Sequence, residues 1–112
     1  MLPKNRRIPT PLLLTALKQS TVYSSDYLTL RVHRLNREEK DKLARIAIIT
    51  PAKVNRHAVD RHLSKRRVSA YLENNLQLIE PGQYLIFQIK KDITKLEPAV
   101  LALEIKKLLN LT

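Results

Sequence analysis

The sequence predicts an α+β domain in which a small sheet packs against helices. Three observations carry this. Apolar and polar residues alternate from Tyr23 to Arg34 and again from Gln83 to Ile89; apolar residues recur at helical spacing near both ends of the chain; and the 112 residues are 44% apolar with a single glycine. A chain of that length suits one domain spanning 1–112 and leaves little room for a second core.

Residues 1–10 are polar, basic and punctuated by Pro3 and Pro9, which predicts an extended arm outside the core. Thr10 can cap a helix and Pro11 suits its first position; Leu13, Leu14 and Leu17 follow at helical spacing before Ser20-Thr21 ends the run. Tyr23 to Arg34 reads as one strand, with Leu28, Leu30 and Val32 on one face and Tyr27, Thr29, Arg31 and His33 on the other. The polar stretch from Asn36 to Lys42 reads as a hairpin loop, and Ala44 to Thr50 as a more buried strand that Pro51 closes.

Arg56 to Gln77 holds neither glycine nor proline and reads as a central helix. Val59, Leu63 and Ala70 fall within about 40° of one another on its projection and form the candidate core stripe, with Arg66 close beside it. Arg61 and Lys65, one turn apart, make a basic stripe on another face, with His62 nearby. Glu80-Pro81-Gly82 is a turn, and Gln83 to Ile89 is a strand with Leu85, Phe87 and Ile89 facing away from Tyr84, Ile86 and Gln88. A last helix from about Thr94 to Leu109 directs Leu96, Val100, Leu103 and Leu108 to the core.

The charge balance narrows function. Twenty-one Lys and Arg against ten Asp and Glu leave a net charge of +11, which calls for a polyanionic partner. Nucleic acid fits best, because each neutralised phosphate releases condensed counterions. The cations concentrate at Lys53, Arg56, Arg61, His62, Lys65, Arg66 and Arg67, joined by Lys4, Arg6 and Arg7 in the arm, and Asp60 is the one acid among them before Glu73. A solvated helix face would carry more compensating acids.

Other chemistries find little support. The absence of cysteine excludes disulfides, thiolate metal sites and cysteine nucleophiles, and suits a cytoplasmic setting. His33, His57 and His62 have no spacing that builds a metal triad, so no metal site is expected and each reads as solvated or phosphate-facing. Gly82 alone cannot form a phosphate-cradling loop, and no Ser-His-Asp order stands out. Lys4 to Arg7 followed by Pro11 to Leu17 imitates a secretory signal poorly, since Lys18 breaks the apolar run, and no stretch nears the roughly 20 apolar residues of a membrane span.

Certain residues carry a family likeness. The opening Met1-Leu2-Pro3-Lys4-Asn5-Arg6-Arg7-Ile8, the strand pattern Tyr27-Leu28-Thr29-Leu30, and the run from Arg45 through Thr50-Pro51-Ala52-Lys53-Val54 into a basic helix resemble the protein subunit of bacterial ribonuclease P, over nearly the whole chain. That resemblance implies a two-layer α+β sandwich in the order α-β-β-β-α-β-α, like the second domain of a small-subunit ribosomal protein, with a left-handed βαβ crossover. It implies a monomer within a ribonucleoprotein that binds the catalytic RNA and precursor tRNA and assists removal of the 5′ leader. Magnesium would serve the RNA, with no cofactor held by protein ligands and no catalytic side chain in this chain.

The resemblance also implies site residues. The family's central helix opens on arginine-asparagine-arginine, then lysine-arginine two residues later; here Asp60-Arg61-His62-Leu63-Ser64-Lys65 stands there, so Arg61, His62 and Lys65 inherit the RNA contacts, with Arg66 and Arg67 one step on. Leader contacts fall to Leu12 and Ala16, which stand where the family has stacking aromatics, and to Tyr27, Thr29 and Arg31. Two other readings compete: a ribosome-associated or general RNA-binding module, and a small nuclease using His57 or His62 as a base.

Overall fold

The computed structural model describes residues 2–112. Its elements run α1 (Thr10–Lys18), β1 (Thr21–Ser24), β2 (Leu28–Arg34), β3 (Arg45–Ile49), α2 (Ala58–Glu73), β4 (Gln83–Ile89) and α3 (Pro98–Leu111), with short 3-10 turns at Lys4–Arg6, Arg37–Glu39 and Leu76–Leu78. This is the order α-β-β-β-α-β-α. Helix α1 starts at Thr10 itself, behind Pro9 at the cap position, so Thr10 is its first residue and not its cap.

The stretch from Tyr23 to Arg34 is two strands, not one. Ser25-Asp26-Tyr27-Leu28 turns the chain back on itself: the Ser25 amide donates to the Leu28 carbonyl at 2.8 Å, and the Leu28 amide donates to Ser25 Oγ at 3.3 Å. Serine and aspartate satisfy turn backbone through their own side chains, so the polar interruption outweighs the alternation around it. Tyr23 then pairs with Leu30 and Val22 with Arg31.

The sheet order is β1-β2-β4-β3, antiparallel except for the parallel pair β3 and β4. Strand β4 therefore lies between β2 and β3, and residues 36–42 are a crossing connection, not the expected hairpin loop. The reason lies in burial. Gln83 to Phe87 and Ile89 are all buried, which is the signature of a central strand covered on both faces, and β4 is the strand that can occupy that place.

On one face Leu28, Leu30 and Val32 join Leu85, Phe87, Ile89 and Ile46 beneath α2 and α3. On the other, Tyr84 and Ile86 meet Ile8 and Ala16, with Leu13, Leu17, Ala47 and Ile49 around them, so α1 packs here. Each fully buried large side chain contributes roughly 1.5–3 kcal/mol, and most belong to the first face.

The inward faces of both long helices differ from the expected stripes. Helix α2 buries Ser64, Val68, Ser69 and Leu72, while Val59 is 77% exposed and Ala70 lies on the surface. The buried serines explain the misreading, because a stripe half made of hydroxyls gives almost no amphipathic signal. Arg66 consequently has no apolar stripe to snorkel from and is exposed. In α3 the buried positions are Leu101, Glu104, Ile105 and Leu108, with Leu103 54% exposed and Val100 also at the surface. The helix begins at Pro98 and is set by its i, i+4, i+7 contacts with the sheet.

Candidate nucleic-acid interface

The N-terminal segment is not a free arm. Leu2 and Ile8 are buried, and residues 7 and 8 run beside the outer edge of β3: Arg7 bridges Ile46 in parallel, and the Ile8 amide donates to the Ile46 carbonyl at 3.1 Å. Two guanidiniums fasten the strip. Arg6 donates to the Ala44 carbonyl at 3.0 Å, and Arg45 donates to the Arg7 carbonyl at 3.1 Å. The two buried apolar residues outweigh the polar, proline-marked composition, and the strip shields a sheet edge that would otherwise stay unpaired.

This placement brings arm and helix together. A groove of about 210 Å³ between the strip, β3 and α2 is lined by Leu2, Arg7, Ile8, Ile46, Lys65 and Ser69. Arg7 and Lys65 thus meet across one concave surface, with Lys4 exposed on the same strip. On α2, His62 and Arg66 form the outermost ridge beside Lys65, and all three are exposed. Among the described residues the ion pair is Lys42 with Glu39 at 3.6 Å, which leaves these cations without an acidic partner.

Like Arg6, two more of the expected phosphate-binding residues are engaged by the fold. The Arg67 guanidinium donates to the carbonyls of Ile93 and Leu96, on the α3 side of α2. The Arg61 guanidinium donates to the carbonyls of Asn55 at 3.0 Å and Arg56 at 2.9 Å. Lys53, Arg56 and His57 lie exposed in the segment between β3 and α2, with His57 at the helix cap position. His57 and His62 have no carboxylate partner among the described residues, and no three His, Cys, Asp or Glu side chains there come together as a metal-holding group.

On the opposite face of the sheet, a cleft of about 520 Å³ opens between α1, β2 and the 36–42 connection. Leu12, Thr15, Ala16, Gln19, His33 and Tyr84 line it, with Arg34, Glu39 and Lys42 at its margin. The His33 ring nitrogen Nδ1 lies 2.9 Å from the Gln19 carbonyl, and since a carbonyl only accepts, Nδ1 carries the proton there. The ring also sits 6.0 Å from that of Tyr84, its pair across β2 and β4.

The expected leader residues divide in this geometry. Leu12 is exposed in the cleft, but Ala16 is 1% exposed and fills the contact between α1 and the sheet, so it offers no stacking surface. Thr29 and Arg31 share the face of His33, pairing with Gln88 and Ile86. Tyr27 does not: it sits in the β1–β2 turn, packs toward the main core and lies under Lys91 at 5.9 Å. Sequence reasoning left Gln19, His33 and Tyr84 out of the cleft, although a second apolar face on β4 signalled that something must cover it.

A model of the ribonuclease P family matches residues 2–112. The chain belongs to the ribonuclease P protein family. Its fold agrees: the ribonuclease P protein from Thermotoga maritima superposes with a TM-score of 0.80 at 16% identity, covering 95% of this chain and 96% of that one. The protein from Staphylococcus aureus gives 0.78 at 15% identity over 95% and 94% of the two chains. A mutant of the Staphylococcus aureus protein, described as defective in mRNA degradation, gives 0.81 at 16% identity over 96% and 88%. No curated protein matches the chain in sequence.

A ribonuclease P protein is the accessory subunit of an RNA–protein enzyme of tRNA processing, and that is the role of this chain, in partnership with the ribonuclease P RNA. Among the described residues no helix is long and apolar enough to cross a membrane.

Proposed function

We propose that this ribonuclease P protein holds the catalytic RNA on the face made by α2 and the N-terminal strip, and takes the single-stranded leader of precursor tRNA in the cleft under α1. The observation that carries this reading is the convergence of Arg7 and Lys65 on one groove, beside the exposed cations His62 and Arg66. Lys4, Lys53 and Arg56 extend the same chemistry, while Arg6, Arg61 and Arg67 serve the fold that presents it. The β3 edge separates this face from the cleft, so two RNA segments can be bound at once by one monomer.

The cleft has the character a single strand needs. Leu12 and Leu35 give apolar surface for a base over the buried Tyr84, Gln19, Asn36 and His33 give polar edges, and Arg34 gives counter-charge, Lys42 being paired with Glu39. Family members use aromatics on the first helix; here Tyr84 and His33, across the cleft from α1, are the ring-bearing residues.

On this reading the protein acts in the cytoplasm, and magnesium ions belong to the RNA. What the chain supplies is counter-charge and orientation, which lower the magnesium the RNA needs and hold the substrate near the reacting bond. The test is leader cleavage from precursor tRNA by a bacterial ribonuclease P RNA at low magnesium, with and without the protein. Faster cleavage with protein is expected; equal rates would overturn the reading. Recovery of ribosomal RNA in place of ribonuclease P RNA after crosslinking in cells would favour a ribosome-associated module instead.

A further inference from the structure

We infer that Arg61 serves RNA binding as a positioning residue, clamping the 51–57 segment so that Lys53 and Arg56 meet phosphate, and does not itself touch RNA. The inference rests on reading the α2 face as the RNA interface. Its basis is the use already made of the side chain. One terminal nitrogen of Arg61 donates to the carbonyls of Asn55 at 3.0 Å and Arg56 at 2.9 Å, and the residue is only half-exposed.

The rest of the segment is built around that clamp. The amides of Val54 and Asn55 donate back to the Pro51 carbonyl at 3.0 and 3.4 Å, forming a tight turn after β3. Asn55 is 5% exposed, and its Oδ1 accepts from the fully buried Ser64 hydroxyl at 3.2 Å. Arg61 therefore holds the Asn55 and Arg56 carbonyls and Ser64, one turn further along α2, holds the Asn55 side chain, while Lys53 and Arg56 are exposed to solvent from an ordered backbone. Losing the clamp frees a loop whose two cations are then too costly to order on phosphate, so both contacts are lost from the complex.

The two roles predict different salt dependence. A residue that contacts one phosphate lowers the slope of log affinity against log salt by about 0.9 when removed, and its effect adds to that of its neighbours. A clamp lowers it by nearly as much as removing both Lys53 and Arg56, and adds nothing once they are gone. The experiment measures affinity of the full chain for a bacterial ribonuclease P RNA across a salt series, using Lys53→Gln/Arg56→Gln, Arg61→Met and the triple variant.

The expected result is that Arg61→Met approaches the double variant in slope, and that the triple variant binds within about twofold of the double. Ser64→Ala, which removes no charge, should also weaken binding, and it tests the clamp if Arg61→Met fails to fold. A triple variant weaker than the double by the slope of one further contact would overturn the inference while leaving the interface intact. No loss in the Lys53→Gln/Arg56→Gln variant would remove this segment from the interface and overturn the inference, while the face of Arg7 and Lys65 would stand.

Discussion

Gly82 and Lys40 approach so closely that a Cβ on Gly82 would stand 2.4 Å from the Lys40 carbonyl oxygen. The glycine has φ +80°, its amide donates to the Lys42 carbonyl at 2.8 Å, and its carbonyl accepts from the Leu35 amide at 2.9 Å. The chain's one glycine thus pins the 36–42 connection where it passes the start of β4, which also fixes one wall of the cleft.

Gly82→Ala should therefore destabilise the fold by more than about 1 kcal/mol, since it adds both left-handed strain and a backbone clash. Urea denaturation measures this directly. A stability equal to wild type would mean that the connection is free to shift and does not depend on the glycine.

Much of this fold can be read in the sequence, and the parts that cannot share a cause. The α1, β3 and β4 spans follow from local periodicity, because those residues bury side chains in the pattern that the chain displays. The place of β4 between β2 and β3 is a matter of which strand is covered twice, which only the assembled helices decide. Helix α2 hides its inward face behind Ser64 and Ser69, and the burial of Leu2 and Ile8 depends on an edge strand far along the chain. For the site, the basic character of α2 is plain from composition, but charge alone cannot separate Lys65, which faces solvent, from Arg67, which faces carbonyls. The cleft of His33 and Tyr84 arises from pairing across strands 51 positions apart and leaves no local pattern.

Arg67 offers a clean contrast with its neighbours. Its fork holds the Ile93 and Leu96 carbonyls, so Arg67→Met should cost about 2 kcal/mol of stability through lost charge-assisted bonds. Arg66→Gln, at an exposed position, should change stability by less than about 0.5 kcal/mol. Affinity for ribonuclease P RNA, corrected for folded fraction, should show the reverse order. Equal losses of affinity in the two variants would show that Arg67 reaches RNA.

Asp92 supplies a pH dependence. The Thr94 backbone amide, 2.9 Å from Oδ1, and then the Thr94 hydroxyl at 2.7 Å hold its carboxyl below the ordinary aspartate value, with Asn55 and Lys95 adding to the effect and slight burial opposing it. A depressed folded pKa favours the charged form in the folded state, so the stabilisation is present above the unfolded value of about 3.9 and is lost as pH falls through the folded one. Asp92→Ala should be less stable than wild type at pH 7, with the gap narrowing below about pH 4. Denaturation midpoints at pH 7, 5 and 3 decide it, and a gap that stays constant across them would show that the charge is irrelevant.

His33 and Lys65 separate the two RNA surfaces. His33 lines the cleft with its Nδ1 committed to the Gln19 carbonyl, leaving the other ring nitrogen and one ring face for a base. Base contacts on such platforms are worth about 1–3 kcal/mol, so His33→Ala should weaken precursor tRNA binding by the assembled enzyme roughly tenfold. Mature tRNA, which lacks the leader, should bind as before. Lys65→Gln lies on the other side of β3 and should instead weaken assembly with the catalytic RNA, lowering the salt slope by about 0.9. Titrating leader-bearing and leaderless tRNA against saturated holoenzyme isolates the first effect, and titrating protein against RNA alone isolates the second. If His33→Ala weakened both tRNAs equally, the cleft would not be the leader's seat, because a contact confined to the leader cannot alter binding of a molecule without one.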